Sequence, residues 1–414
     1  MAIITVFNGA FCQEETFLKR IQTSSHYDVV RDSDILLEAS RLSGLATSKI
    51  ERAFSARVSV FNRFTREKER SLAYLRLAVS QVLEREDTLL HGLTAILVPM
   101  EIAHVLRICL IADMPFRIAA ATRDQGVPEA EAVTLIHHLD ENLAHWVHTI
   151  RDVKDPWDAS LYDMVIPLDK SPLDEVEKLI LDNLGQGVLM PTEKSRQSGR
   201  DFRMACAVDV ALANEGHDVS VKASNGTVSI TINKHVLMLS RLEEELKAIA
   251  GRVPGVKQVE TRVGPGFHQS DIYRKFDFEV PSKVLLVDDE REFVQTLSER
   301  LLMREVGSAV AYDGESALEL IKEDEPEVMI LDLRMPGIDG VEVLRKVKET
   351  QPEIEVIILT GHGSNKDRET CMTLGAFAYF QKPVDIDKLS ATIQSANEKI
   401  RRRNRSEGNR PSKE

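Results

Sequence analysis

The stretch VLLVDDE, residues 284–290, runs four apolar residues straight into three carboxylates. A short apolar run of this kind reads as a strand buried on both faces. Like charges crowded at its end repel one another, and they cost stability unless a cation or a strong hydrogen-bond donor joins them. The crowding therefore points to a site for a hard cation, whose other partners must come from elsewhere in the chain.

Outward from this stretch, five apolar runs follow one another: VLLV, SAVAY, VMILD, VIILT and AYFQK. Helix-compatible segments separate them, so residues 282–400 are expected to form a flavodoxin-like (βα)5 domain. In such folds, ligands bind beyond the carboxyl ends of the strands. That rule gathers Asp288 and Asp289 after the first strand, Asp332 after the third and Thr360 at the end of the fourth. Tyr379 and Lys382 belong to the fifth. Carboxylates with a backbone carbonyl and waters suit octahedral Mg²⁺. An aspartate beside that ion can attack a phosphoryl group and form an acyl phosphate. The lysine and threonine would neutralise and hydrogen-bond the phosphoryl oxygens.

With DLRMPGIDG at 332–340 added, residues 283–399 resemble the receiver domain of two-component response regulators. The resemblance implies that Asp332 is the phospho-acceptor. It implies that Asp288 and Asp289 hold Mg²⁺ with Asp332, and that the main-chain carbonyl of Arg334 completes the protein ligands. Thr360 and Lys382 would contact the phosphoryl group, and Tyr379 would move when Thr360 is drawn toward it. The Lys382–Pro383 bond is expected to be cis. Arg334 and His362 lie two residues beyond Asp332 and Thr360, where they are expected to tune the lifetime of the acyl phosphate.

The chain has 414 residues, 43% hydrophobic and 29% charged, and a formal net charge of −13. That length calls for two or three domains. The negative balance argues against broad nucleic-acid binding. The four cysteines (Cys12, Cys109, Cys206 and Cys371) are far apart and read as reduced thiols. Neither a transmembrane span nor a secretory leader is legible, so a cytoplasmic location is expected. The tail 401–414 carries six basic and two acidic residues, a net +4, and is expected to be a disordered, solubilising end.

Residues 1–190 alternate strands and helices, which implies a parallel α/β sheet covered on both faces. AIITVF, TAILVP, HVLRICLIA and MVIPL read as strands, and a long helix is expected over about Glu129–Val147. MAIIT…G, RDSDILLEAS, HVLRI, MPFRI and SLYDMVI together resemble the cytidylate kinase-like family, a branch of the P-loop nucleoside monophosphate kinases. The departures weigh more than the match. A phosphate loop needs glycines for close approach and a lysine for the phosphates, whereas this loop reads NGAFCQEET and keeps only Gly9. Glu14 and Glu15 occupy the helix start, where a phosphate would sit. In LDENLAHW, Asn142 and Leu143 stand where arginines would neutralise a transferring group. Arg31, Arg107 and Arg117 remain as candidate ligands or plain salt-bridge partners. The domain reads as a pseudokinase with no cofactor-binding residue. His137, His138, His145 and His148 share one helix and read as partly exposed histidines without zinc.

A linker is expected at 191–199. Residues 200–265 give a helix, a hairpin turning at Asn225–Gly226, a second helix and a strand. VSVKASNGTVSITI and AIAGRVPGVKQV resemble a BON domain, a small α+β module. A second linker is expected at 266–281.

The expected function is that of a two-component response regulator. A sensor histidine kinase would phosphorylate Asp332, switching protein–protein contacts of a non-DNA-binding output partner. A homodimer through the receiver is a further expectation, and membrane binding is not. The main alternative is a nucleotide kinase controlled by the receiver; a membrane-associated scaffold using the middle domain is another.

Overall fold

The computed structural model describes residues 2–55, 66–234, 239–265, 283–302, 304, 306–361 and 363–407. Residues 2–55 with 67–265 form one compact unit, and residues 283–407 belong to a second.

The first unit carries five parallel strands: β1 (Ile3–Asn8), β2 (Asp28–Arg31), β3 (Thr88–His91), β4 (Val105–Ile111) and β5 (Met164–Pro167). Their order is β2-β3-β1-β4-β5, with β1 in the centre and Thr5 paired to Arg107 of β4. Side chains alternate across the sheet. Ile3, Phe7, Val105 and Cys109 join one core with Ile35, Leu75, Val79 and Trp146. Ile4, Val6, Leu106 and Leu110 join the opposite core with Phe17, Leu18, Ile21 and Ile180. Helices thus cover both faces.

Two details differ from expectation. TAILVP is no strand: Leu93–Leu97 is a 3-10 turn, and the strand is the preceding Thr88–His91. The cause is Asp32, whose carboxylate accepts Leu93 N–H at 2.7 Å, Thr94 N–H at 2.9 Å and the Thr94 hydroxyl at 2.6 Å. Gly92, at φ 119°, lets the chain come this close, since a Cβ there would lie 2.2 Å from an Asp32 oxygen. Nor is 191–199 a linker. From Glu193 it belongs to the helix Glu193–Asn214, capped by the Thr192 hydroxyl accepting Ser195 N–H. This helix lies along the helix Glu67–Val82, where Tyr74 and Asn214 share hydrogen bonds and Phe202 and Cys206 enter the α/β core.

The same helix opens the small domain. β6 (Ser220–Ser224) and β7 (Thr227–Ile232) pair antiparallel, and β8 (Gln258–Val263) pairs parallel with β7. Asn225 and Gly226 turn the hairpin with φ of 51° and 93°, as a tight two-residue loop requires. Val208, Leu212, Val228, Ile230 and Leu246 fill its core. The expected linker 266–281 lies outside the described residues.

The second unit has β9 (Val284–Val287), β10 (Ser308–Ala311), β11 (Val328–Leu331), β12 (Glu355–Thr360) and β13 (Ala378–Gln381), all parallel. The order β10-β9-β11-β12-β13 is the flavodoxin-like one. The expected tail begins later than 401, because the last helix, Ile386–Glu407, continues through its arginines. Residues 408–414 lie outside the described residues. Among the described residues, no helix is long and apolar enough to cross a membrane.

Gly199 lies within the helix Glu193–Asn214, and a Cβ there would meet nothing within 4 Å. Gly199→Ala is therefore expected to stabilise the protein by up to about 1 kcal/mol, and Gly199→Pro to cost about 3 kcal/mol. Urea unfolding checks both; a flexible linker would absorb either change without effect.

Candidate functional site

Three strand ends of the second unit build one cluster. β9 and β11 pair through Val287 and Leu331, so the next residues, Asp288 and Asp332, emerge side by side. Both are buried, at 4% and 5% exposure, whereas Asp289 is exposed. Carboxylate oxygens of Asp288, Asp289 and Asp332 lie within 4.8 Å of one another. Such an all-oxygen set suits Mg²⁺ or Ca²⁺ far better than a soft metal.

Lys382, just past β13, reaches into the cluster. Its Nζ lies 2.7 Å from Asp288 Oδ2, 2.8 Å from Glu290 Oε1 and 3.3 Å from Asp332 Oδ2. The ammonium also sits 4.3 Å from the centre of the Phe293 ring. Burial alone would lower its pKa, but hydrogen bonds to Asp288 and Glu290 and the nearby carboxylates hold it above the ordinary lysine value. Burial raises the Asp288 carboxyl in turn, against the pull of Lys382.

Asp332 is oriented from behind. Its Oδ1 accepts Leu333 N–H at 2.6 Å and, more weakly, Arg334 N–H at 3.4 Å. The helix Gly340–Thr350 starts so close below that a Cβ on Gly340 would lie 2.1 Å from the Asp332 carbonyl oxygen. Arg334 is exposed, and His362 lies outside the described residues. Thr360 ends β12 fully buried. The Lys382–Pro383 bond is cis. Tyr379 turns inward, its hydroxyl buried without a hydrogen-bond partner among the described residues and packed against Gly363, whose added Cβ would fall 1.6 Å from it. The sequence reading missed Glu290 as a lysine partner, although it is the third acid of the opening stretch. It also missed Gly363, which carries no signal until the ring's direction is known.

The first unit gathers a different set at the carboxyl end of β1. Its helix Glu14–Ser25 begins after Phe11 and Gln13, both left-handed at φ 61° and 60°. Glu15 does not stand free: Arg31 donates to both of its oxygens at 2.5 and 2.9 Å. Burial raises the Glu14 carboxyl. Arg117 is buried, donates to the Ala10 carbonyl at 2.8 Å and grips Asp140 at 2.9 and 2.6 Å. Space around Gly9 is taken by Cys12, Trp157 and Arg117, which an added Cβ would meet at 3.1, 3.3 and 3.8 Å. His91 Nε2 lies 2.9 Å from Asn8 Oδ1, and burial presses its pKa down to about 4. Arg107 is no surface ligand either; it is buried mid-strand, its guanidinium hydrogen-bonded to the carbonyls of Pro99, Ile102 and Val105. Asn142 and Leu143 lie on the helix Glu129–Arg151 with the four histidines, of which His137, His138 and His148 are exposed and His145 meets Lys68 at 3.2 Å.

Comparison with known proteins agrees with this division. Residues 284–394 match the response regulator receiver domain, and residues 3–170 match the cytidylate kinase-like family. The transcriptional regulatory protein CpxR of Escherichia coli is 39% identical over 117 residues, which are 28% of this chain and 48% of that protein. The probable transcriptional regulator ycf27 of Guillardia theta is 38% identical over 129 residues, 31% of this chain and 49% of its own. Response regulator MprA of Mycolicibacterium vanbaalenii is 32% identical over 116 residues, 28% of this chain and 50% of its own. The chain thus spans about half the length of the curated relatives it matches.

Tyr379 yields a paired expectation. Removing the unpartnered hydroxyl in Tyr379→Phe should stabilise the protein by about 1 kcal/mol. Gly363→Ala, which forces the ring outward, should cost about 1–3 kcal/mol. Denaturant unfolding of the two variants checks both signs.

Proposed function

We propose that this chain is a two-component response regulator whose Asp332 accepts a phosphoryl group from a sensor histidine kinase. The observation that carries this reading is the convergence of three carboxylates and Lys382 at the ends of β9, β11 and β13. Asp288, Asp289 and Asp332, with the main-chain carbonyl of Arg334, would hold Mg²⁺. Bound there, the ion would neutralise the crowded carboxylates and the incoming phosphoryl oxygens.

The chain's own groups divide the remaining work. Asp332 Oδ1 is engaged by Leu333 N–H, so Oδ2, facing Lys382, is the nucleophile. The new bond joins Oδ2 to phosphorus while the bond from phosphorus to the donor's imidazole nitrogen breaks, and that nitrogen keeps the electron pair. Lys382 then transfers its hydrogen bonds from carboxylates to the phosphoryl oxygens. Thr360 contacts the same group, and its shift would bias Tyr379 toward the inward position the ring already takes here. The altered receiver face changes contact with an output protein. Regulation through protein contacts rather than DNA is our reading, and the net charge of −13 supports it.

For the first unit we propose a pseudokinase. Arg31 and Arg117, the arginines near the β1 loop, are each held bidentately by a carboxylate of the same chain. We read residues 200–265 as a BON-like interaction module on the strength of their helix–hairpin–helix–strand order, and give it no membrane role.

Incubated with a small acyl phosphate donor and Mg²⁺, the full chain should gain one phosphoryl group, labile to hydroxylamine. Asp332→Asn, or removal of Mg²⁺ by chelation, should abolish it. Intact-mass spectrometry reads the result, and full labelling of Asp332→Asn would sink the assignment. Calorimetric titration of MgATP and CMP should show no heat, with or without the donor. Binding in the phosphorylated state would instead favour a receiver-controlled nucleotide kinase.

A further inference from the structure

A cleft of about 260 Å³ lies at the amino edge of the first sheet. Parallel α/β sheets usually hold ligands at the opposite, carboxyl edge. Ile3, which opens β1, and His104, which precedes β4, line it from the sheet. One wall is residues 83–86, just past the helix Glu67–Val82, and the other is the start of the helix Glu193–Asn214.

The lining mixes apolar groups, Ile3, Leu83 and Pro191, with three guanidinium groups and two carboxylates. Most of these charges are already matched. Arg203 takes Glu84, Glu86 lies 3.4 Å from Arg196, and Arg200 donates to Glu193 and Gln197. Arg85 is the exception: among the described residues its guanidinium meets no acceptor. Glu38, which feels its field, is gripped instead by Arg41 at 2.8 and 2.6 Å.

His104 is the second unmatched group, and it is only 7% exposed. Its Nδ1 lies 2.5 Å from Ser195 Oγ, which also accepts the His104 backbone N–H at 3.1 Å. Among the described residues the Ser195 hydroxyl has no other acceptor, so it donates to Nδ1 and the ring proton sits on Nε2. Burial, and after it the charge of Arg196, lowers the His104 pKa, which keeps the ring neutral. Nε2–H is therefore a donor at the cleft with no partner among the described residues.

We propose that this cleft binds a small organic anion, a carboxylate or phosphate monoester on a short apolar body. Arg85 is its ion partner and His104 Nε2–H its second donor, while Ile3, Leu83 and Pro191 receive the body. Both heads present the paired oxygens that a guanidinium fork matches. The volume falls below the roughly 300 Å³ at which pockets for drug-sized ligands begin, so the body is a single ring or a short chain. The site shares no residue with the aspartate cluster or the Gly9 loop. Its helical wall continues into the small domain, so an occupant ties the sheet edge to the helix that carries that domain.

The full chain, without Mg²⁺ so that the aspartate cluster attracts no anion, is titrated calorimetrically with benzoate, phenyl phosphate and the neutral benzamide. At least one of the two anions is expected to bind saturably with a Kd below about 1 mM, and benzamide is not. Which anion binds identifies the head. Arg85→Met, whose guanidinium has no protein partner to lose, should weaken binding about tenfold. Gly199→Phe fills the cleft from the helix, where an added Cβ meets nothing within 4 Å, and should abolish binding. Failure of both anions to saturate, equal binding of benzamide, or an affinity unchanged in either variant would overturn the proposal.

Discussion

The second unit depends on one electrostatic constraint: Asp288 and Asp332 must lie side by side, largely out of water, at the ends of adjacent strands. Neither carboxylate could stay there ionised without help. Lys382 supplies it, and does so from a third strand end, so that the fifth strand is tied to the first and third by charge as well as by backbone hydrogen bonds. The apolar strands, buried along their length, fix where those charges emerge. The arrangement is also exchangeable. A divalent cation would take over the carboxylates that Lys382 now balances and leave its ammonium for an anionic group, which makes the resting geometry receptive rather than inert.

The first unit handles comparable charges in the opposite way. Each arginine near the β1 loop is closed into a two-pronged pair with its own carboxylate, Arg31 with Glu15 and Arg117 with Asp140. Opening such a pair for an incoming phosphate means losing two charge-assisted hydrogen bonds before gaining any. The loop adds crowding, since Trp157 and Arg117 stand over Gly9. One unit therefore leaves its electrostatics open to a ligand while the other satisfies them internally, on two sheets of the same parallel class.

Much of this was legible in the sequence, and the exceptions have physical causes. Fully buried strands such as VLLV and VMIL are continuous apolar runs, so the flavodoxin-like alternation and the gathering of Asp288, Asp332 and Lys382 follow from the pattern. The short strands β2 and β3 escaped because DVVR and TLLH are four residues each and mix polarity. TAILVP looked like a strand because its side chains are apolar; its backbone is bent by Asp32, some sixty residues earlier in the chain. The supposed linker was misjudged on composition. Lys194, Arg196 and Arg200 face outward and the buried position is a serine, Ser195 against His104, on the first turns of a helix whose buried side only becomes apolar at Phe202 and Cys206. Side-chain directions, such as the inward turn of Tyr379 and the grip of Arg117 on Asp140, have no signature in a single sequence.

That continuous helix, Glu193–Asn214, makes what looks like two modules a single folding unit. One of its faces, with Phe202, Cys206 and Asn214, is held by the α/β core, another, with Val208 and Leu212, is a wall of the small domain, and no hinge lies between them. A load applied to the three-stranded sheet is carried along a rigid rod into the helix Glu67–Val82 instead of dissipating in a flexible joint. The small domain is therefore not an appendage free to swing toward a partner. It is a fixed lever, and whatever binds it must accept the orientation that the α/β fold imposes.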